Sequence, residues 1–227
     1  MSLFCANRLA IGTANWGKEY NGVKVPESEQ EKILGFCREV GIDMIDTATA
    51  YGTADIEIPR TMQKVVKVNC QDSIDSIASF VEEKPYCIMS HDDMAVFELV
   101  VKLAKNKTRT GESLYPDTTR LNGLLYDLRV DVVQIPYSLF DRRFAYALPQ
   151  FKLEGKEVHV RSVFLRGKIL ERATPHECIS FCLMNPNVDR VILGVDSLGQ
   201  LQDNLAGLIK MDSLKVEDEK VLDPRQW

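Results

Sequence analysis

Short runs of β-branched and aliphatic residues alternate with amphipathic segments along the whole chain. The apolar runs predict strands at residues 9–13, 44–47, 64–68, 86–90, 108–111, 130–135, 157–163 and 190–194. Each is a short run of the kind expected of a strand covered on both faces. Between them, apolar positions recurring every third or fourth residue predict helices at 27–40, 73–83, 94–105, 116–128, 143–153, 175–184 and 199–210. Ser28, Asp72, Asp93, Thr174 and Ser197 stand where helix caps are expected. The segment 55–63 contains Pro59 and is too short for an ordinary helix.

Strands separated by long connections imply parallel neighbours, because a parallel pair needs a crossover that is usually helical. Eight such units predict a (β/α)8 barrel of the TIM type, a single domain spanning residues 1–227. The structural alternative is an open doubly wound sheet. Against it, no glycine-rich phosphate loop follows the first strand, since Gly12 and Gly17 do not make the dinucleotide fingerprint. Nothing along the chain resembles a linker or a low-complexity stretch that would divide it.

Composition narrows the function classes. The chain has 227 residues, and 45% hydrophobic against 27% charged residues is ordinary for a soluble globular protein. A net charge of −5 gives no electrostatic case for a nucleic-acid partner. No apolar run approaches the length of about 20 residues that a membrane span requires. The first residues lack the charged start and apolar stretch of a secretory signal, so a cytoplasmic location is expected. The six cysteines are scattered through apparent helices and strands, which predicts reduced, mostly buried thiols. Cys178 and Cys182, with His176 nearby, have a spacing that could suggest a metal; core packing explains it better, no fourth ligand is evident, and no metal site is predicted. Asp92 and Asp93 read as a helix start, His159 as a structural residue, and the charged stretch from Asp212 as solvated. A monomer is expected, because no long apolar surface stripe stands out.

In a barrel of this kind, chemistry gathers where the strands end. Asp46 lies in the end of the second strand, which is followed by Tyr51; the third strand ends at Lys67 and the fourth at His91. Singly each has an ordinary structural reading: a turn carboxylate, a rim aromatic, a solvated ammonium, a packed imidazole. Together, in order on consecutive strand ends, they form a proton-handling set. A phenol is a poor proton donor or acceptor at neutral pH, and an ammonium beside it stabilises the phenolate. The carboxylate of Asp46 would hold that ammonium in place.

The stretch Gly41-Ile42-Asp43-Met44-Ile45-Asp46-Thr47-Ala48-Thr49-Ala50-Tyr51-Gly52 resembles the aldo-keto reductase signature. The likeness continues through Val65-Val66-Lys67-Val68 and Cys87-Ile88-Met89-Ser90-His91, then Val132-Val133-Gln134-Ile135-Pro136-Tyr137-Ser138. It runs on through Arg161-Ser162-Val163-Phe164-Leu165-Arg166-Gly167 and ends with Ile192-Leu193-Gly194-Val195-Asp196-Ser197 and the segment from Gln200 to Asn204. The resemblance implies an oxidoreductase that reduces an aldehyde, ketone or sugar carbonyl with NADH or NADPH. Tyr51 would be the general acid, with Asp46, Lys67 and His91 completing the catalytic set. It implies cofactor contacts from Ser113 and Gln134 to a nicotinamide carboxamide. Arg161 stands where many members place a stacking aromatic, and its guanidinium could stack or reach the pyrophosphate. Gly194, Asp196, Ser197, Gln200 and Asn204 would line the remainder of the cofactor, and Asn15, Trp16 and Tyr20 the substrate pocket. Tyr137 and Phe140 would border the cofactor.

The chain departs from the pattern in three places. Leu114 replaces an asparagine that commonly follows the serine, so one carboxamide contact is lost. Only 15 residues separate Tyr51 from Lys67, so the second helix is nearly absent and the rim loops are short. The last strand–helix loop reads Gly194-Val195-Asp196-Ser197-Leu198-Gly199-Gln200, without a cation, which predicts that NADH is accepted at least as well as NADPH. Two other classes of function remain open: a cofactor-binding regulatory or scaffolding barrel with little turnover, and a Schiff-base aldolase using Lys67.

Overall fold

A computed structural model describes residues 6–20, 22–53, 57–91, 93–105, 107–115, 120–206 and 208. The expectations for Cys5, Asp92, Lys210, the stretch from Asp212 and the start of the helix at Pro116 lie outside the described residues.

Eight strands close into a barrel in sequence order, every pair parallel, with the first paired to the last. They are β1 (Leu9–Gly12), β2 (Met44–Ala48), β3 (Gln63–Val68), β4 (Cys87–His91), β5 (Arg109–Ser113), β6 (Val132–Pro136), β7 (Glu157–Arg161) and β8 (Arg190–Gly194). The helices are α1 (Glu27–Val40), α2 (Ile74–Glu82), α3 (Met94–Ala104), α4 (Leu121–Tyr126), α5 (Leu148–Leu153), α6 (Pro175–Met184) and α7 (Leu198–Ala206). The described part of the β2–β3 connection holds a single 3-10 turn, Thr49–Tyr51, and no α-helix. No helix among the described residues is long and apolar enough to cross a membrane.

Several boundaries differ from the sequence expectation for local reasons. β7 stops at Arg161, short of 163, because Ser162 turns to a φ of 61°. The helix expected from 143 begins at Leu148 after a 3-10 turn at Ala145–Ala147, with Pro149, which has no amide hydrogen, in its first turn. Ser113 is the last residue of β5 rather than a residue beyond it, and His91 is the last of β4. Asp93, Thr174 and Ser197 cap as expected, Thr174 within a reciprocal capping box with Glu177. Ser28 does not cap; Pro26 holds the cap position of α1. Asp72 leaves the capping of α2 to Ser73 and turns to Thr49.

Strand periodicity decides what lies inside the barrel. Ala10, Met44, Val65, Cys87, Met89, Val132 and Ile192 form one buried cluster. Their neighbours Leu9, Ile11, Ile45, Val133, Val158, Val160, Val191 and Leu193 belong to a different cluster, shared with the helices. Where both sets occur on one strand they alternate, so the first fills the interior and the second faces the helical layer. Gly111 has the inward parity on β5, and a Cβ there would lie 2.6 Å from Val132 O and 3.1 Å from Cys87 Sγ. Its missing side chain makes room for the sulfur-bearing residues of β4. Two residues further along β2 to β6, the inward parity passes to polar side chains: Asp46 after Met44, Lys67 after Val65, His91 after Met89, Ser113 after Gly111, Gln134 after Val132.

Candidate active site

The interior of the barrel near its C-terminal rim therefore carries an ion pair and amides instead of aliphatic side chains. Lys67 is 1% exposed and its ammonium pairs with Asp46, itself buried. The second carboxylate oxygen of Asp46 accepts a 2.6 Å hydrogen bond from Gln134 Nε2, and Gln134 Oε1 accepts one of 3.1 Å from the Ser113 hydroxyl. Ser113 and Gln134 are fully buried. An isolated ion in such a place would be very costly, and the pairing with added hydrogen bonds is what makes it tolerable.

Tyr51 sits above this pair, half-buried, with Lys67 Nζ 5.4 Å from its ring centroid. Its turn is held from both sides. Thr49 donates to Asp72 Oδ2 at 2.7 Å and accepts from Asn69 Nδ2 at 3.0 Å. Thr53 hydrogen-bonds Thr13 at 3.1 Å and Thr47 at 3.0 Å, all three buried. Gly17 presses against the same turn: a Cβ at that position would come within 2.4 Å of Tyr51 O and 2.6 Å of Gly52 O.

His91 ends β4 and is partly buried, and its Nε2 has no hydrogen-bond partner. Burial, followed by the charges of Lys67 and Arg161, pushes its imidazole down to about 4 against the opposing pull of Asp46. It is therefore neutral at physiological pH. Its ring stacks on Tyr115, with centroids 5.0 Å apart and planes within 6°. The Arg161 guanidinium lies 5.2 Å from the Tyr115 centroid and donates to Leu114 O at 2.7 Å, while its Nε is buried without a partner. The structure thus brings Asp46, Tyr51, Lys67 and His91 to one rim, and the fully buried Leu114 offers no polar side chain there.

The other predicted contacts divide. Asn15 is buried and its amide donates to Asp196, tying the loop after β1 to the loop after β8. The Asp196 amide donates to Gln200 Oε1 at 2.7 Å, and the Ser197 hydroxyl accepts from Gln200 N at 3.1 Å. Gly194 is open to solvent at the strand end, whereas Asn204 is buried on α7. Trp16 is buried and borders a cavity of about 580 Å³ with Gly17, Lys24, Val25, Gln30 and Gly52, beside the Tyr51 turn. Tyr20 is exposed, beneath the Arg166 guanidinium at 5.3 Å. Tyr137 and Phe140 are packed in the core, the phenol of Tyr137 accepting from Asn185 at 3.1 Å. Cys178 and Cys182 are buried, and burial pushes the Cys178 thiol up to about 12.

Three residues at this end are missed by sequence reasoning. Tyr115 stacks on His91, but nothing in its local pattern marks it. Gly17 has no motif; its role exists only because another loop lies on it. Glu29, in the first turn of α1, accepts a 2.7 Å hydrogen bond from Leu198 N, which places a carboxylate at the start of α7.

No family model matches the sequence. No curated protein matches it either. Solved structures do. A Pseudomonas aeruginosa protein assigned to the aldo-keto reductases is 18% identical over 88% of this chain and 89% of that one, with a TM-score of 0.68. The holo form of an aldo-keto reductase from Bacillus halodurans is 18% identical over 95% of this chain and 90% of that one, with a TM-score of 0.69. Its apo form gives 19% identity, 87% and 86% coverage, and a TM-score of 0.64. The chain therefore has the (β/α)8 fold seen in aldo-keto reductases, in line with the resemblance of its motifs.

Proposed function

We propose that this protein is a nicotinamide-dependent oxidoreductase that reduces the carbonyl of an aldehyde, ketone or sugar. The observation that carries the reading is the buried Asp46–Lys67 pair beneath Tyr51, with a neutral His91 at the same rim. Asp46 holds the ammonium of Lys67. With that ammonium 5.4 Å from the centre of its ring, the Tyr51 hydroxyl is the group placed to release a proton to a substrate oxygen as negative charge develops there. His91, being neutral, can donate a hydrogen bond to the same oxygen without competing for its proton. The hydride is what a nicotinamide supplies when bound. A Schiff-base role for Lys67 is disfavoured, because its amine is buried and held as an ammonium by Asp46.

The residues present fit the reactive end of such a cofactor: His91 Nε2 and Arg161 Nε are buried polar atoms without hydrogen-bond partners among the described residues. They fit a ribose hydroxyl better than a phosphate at the other end. There Glu29 accepts from Leu198 N, and Asp196 adds a second carboxylate to a loop without Lys or Arg. NADH is accordingly the proposed partner, accepted at least as well as NADPH; binding of NADPH more than about tenfold tighter, or 1.4 kcal/mol, would overturn that choice.

Absorbance assays with both reduced nicotinamides against sugars, aldehydes and ketones test this reading. Turnover should disappear in Tyr51→Phe while cofactor affinity stays near that of the native protein. Retention of more than about a tenth of native kcat would overturn the acid role, which is usually worth 10²–10⁴-fold.

A further inference from the structure

We infer that Tyr115 is a positioning residue for His91: its ring sets the plane of the imidazole and shields it from water. The inference rests on the proposed reading of His91 as a hydrogen-bond donor to the substrate oxygen. His91 ends β4, where it pairs in register with Ser113, and Tyr115 stands two residues beyond Ser113. Rotation about the Cβ–Cγ bond of a histidine is soft, and a hydrogen bond at one ring nitrogen usually settles what the other does. His91 Nε2 has no such partner among the described residues. Its ring is oriented through a face instead. Tyr115 lies parallel to it within 6°, with centroids 5.0 Å apart, the offset stack that aromatic pairs favour. A stacked neighbour holds the plane of the imidazole and leaves its edge, which carries the nitrogens, free for a ligand.

Tyr115 can hold a neighbour because it is held itself. Leu114, the residue before it, is fully buried; its amide donates to Gln134 O at 2.8 Å and its carbonyl accepts from Arg161 at 2.7 Å. The same guanidinium lies 5.2 Å from the centroid of the Tyr115 ring. Tyr115 remains 47% exposed, so it covers His91 at the rim without belonging to the core, and its truncation opens no core cavity. The charges that face His91 are Lys67 from β3, Arg161 from β7 and Asp46 from β2, but burial is the largest influence that keeps it neutral. Tyr115 supplies part of that cover.

The test follows the imidazole protons of His91 in the unloaded protein, assigned with His91→Gln. In the native protein they should carry the upfield displacement that a stacked aromatic ring imposes. In Tyr115→Ala the displacement should vanish, and the titration should climb by about one unit, a tenfold change in proton affinity. kcat should fall about tenfold, with nicotinamide affinity within about twofold of native. Tyr115→Phe, which keeps the stacked ring, should restore the displacement, the titration and kcat. Tyr115→Leu covers without a flat ring; it should lose the displacement and kcat with a smaller titration shift, and it serves if Tyr115→Ala does not fold. Resonances unmoved in Tyr115→Ala, a kcat there equal to that of an active native protein, a Tyr115→Phe that behaves like Tyr115→Ala, or a loss confined to nicotinamide affinity would each overturn the inference. The resonances need no turnover. A native protein that reduces no carbonyl, yet shows the displacement and its loss, would refute the proposed reaction and leave the positioning of His91 standing.

Discussion

Both ends of the barrel bury charge, but they do so in different ways. At the N-terminal end, Glu157 accepts from Tyr86 at 2.5 Å, from Arg109 at 2.5 Å, and meets His159 Nε2 at 2.7 Å. Nearby, Arg190 pairs with Asp43 at 2.7 Å. These bonds link side chains of neighbouring or nearby strands into a plug. At the C-terminal end, Asp46 has two partners, one reaching it across the barrel, and among the described residues none hydrogen-bonds the hydroxyl of the aromatic above it. His91 and Arg161 there keep unpaired nitrogens at a partly exposed rim, whereas the one unpaired ring nitrogen of His159 is sealed in the interior. A carboxylate surrounded by donors stabilises a fold. A carboxylate that leaves its cation a free face can also support proton transfer.

The largest expected effect comes from cutting the ion pair at the C-terminal end. Lys67→Met should abolish turnover or raise its pH optimum, and it leaves Asp46 buried without its cation. The protein should lose about 3–5 kcal/mol of stability, measured by denaturant unfolding. A variant with the native pH–rate profile would show that Lys67 does not act on Tyr51.

Next is Gly17→Ala. The added Cβ would meet backbone atoms of the Tyr51 turn, which cannot move aside as a flexible side chain could. We expect kcat to fall on the order of tenfold, since displacements of about 1 Å at a reacting group carry costs of this kind. Unchanged kcat would mean that the turn yields without moving the phenol.

The N-terminal end should answer in stability instead. Burial alone would raise the Glu157 carboxyl, but His159, Tyr86 and Arg109 hold it well below the ordinary value of 4.5. A carboxyl depressed by folding contributes stability above that value and loses it as pH falls toward the folded one. Glu157→Gln should therefore lower stability at neutral pH and flatten the loss of native stability below pH 4.5, with the pH–rate profile unchanged. An acid limb as steep as the native one would remove Glu157 from the account.

The smallest effect separates the two ends by pH window. His91 is pushed down from 6.5 to about 4, so the unfolded chain binds more protons between those values. Its contribution is complete above pH 6.5 and is lost as pH falls toward 4. Replacing it in His91→Gln should flatten stability in that interval only. A native His91 resonance titrating above pH 6 would contradict the burial and charge described at this rim.

Much of this architecture can be read along the chain. The alternating runs specify eight strands in order, and the inward parity of Met44, Val65 and Met89 puts Asp46, Lys67 and His91 inside near one rim. Strand period and strand length are local properties, so they survive in a linear reading. Contacts between distant segments do not. That Gln134 meets Asp46 follows from closure of the barrel, which sets β6 opposite β2. Glu29 reaches Leu198, Gly17 lies on the Tyr51 turn, and Tyr115 stacks on His91 only once the loops have packed. The residue types that can move a proton were therefore visible in the sequence. Which of them hold one another still, and which remain free, was decided by the tertiary structure, because a side chain's partners depend on distances that no local pattern encodes.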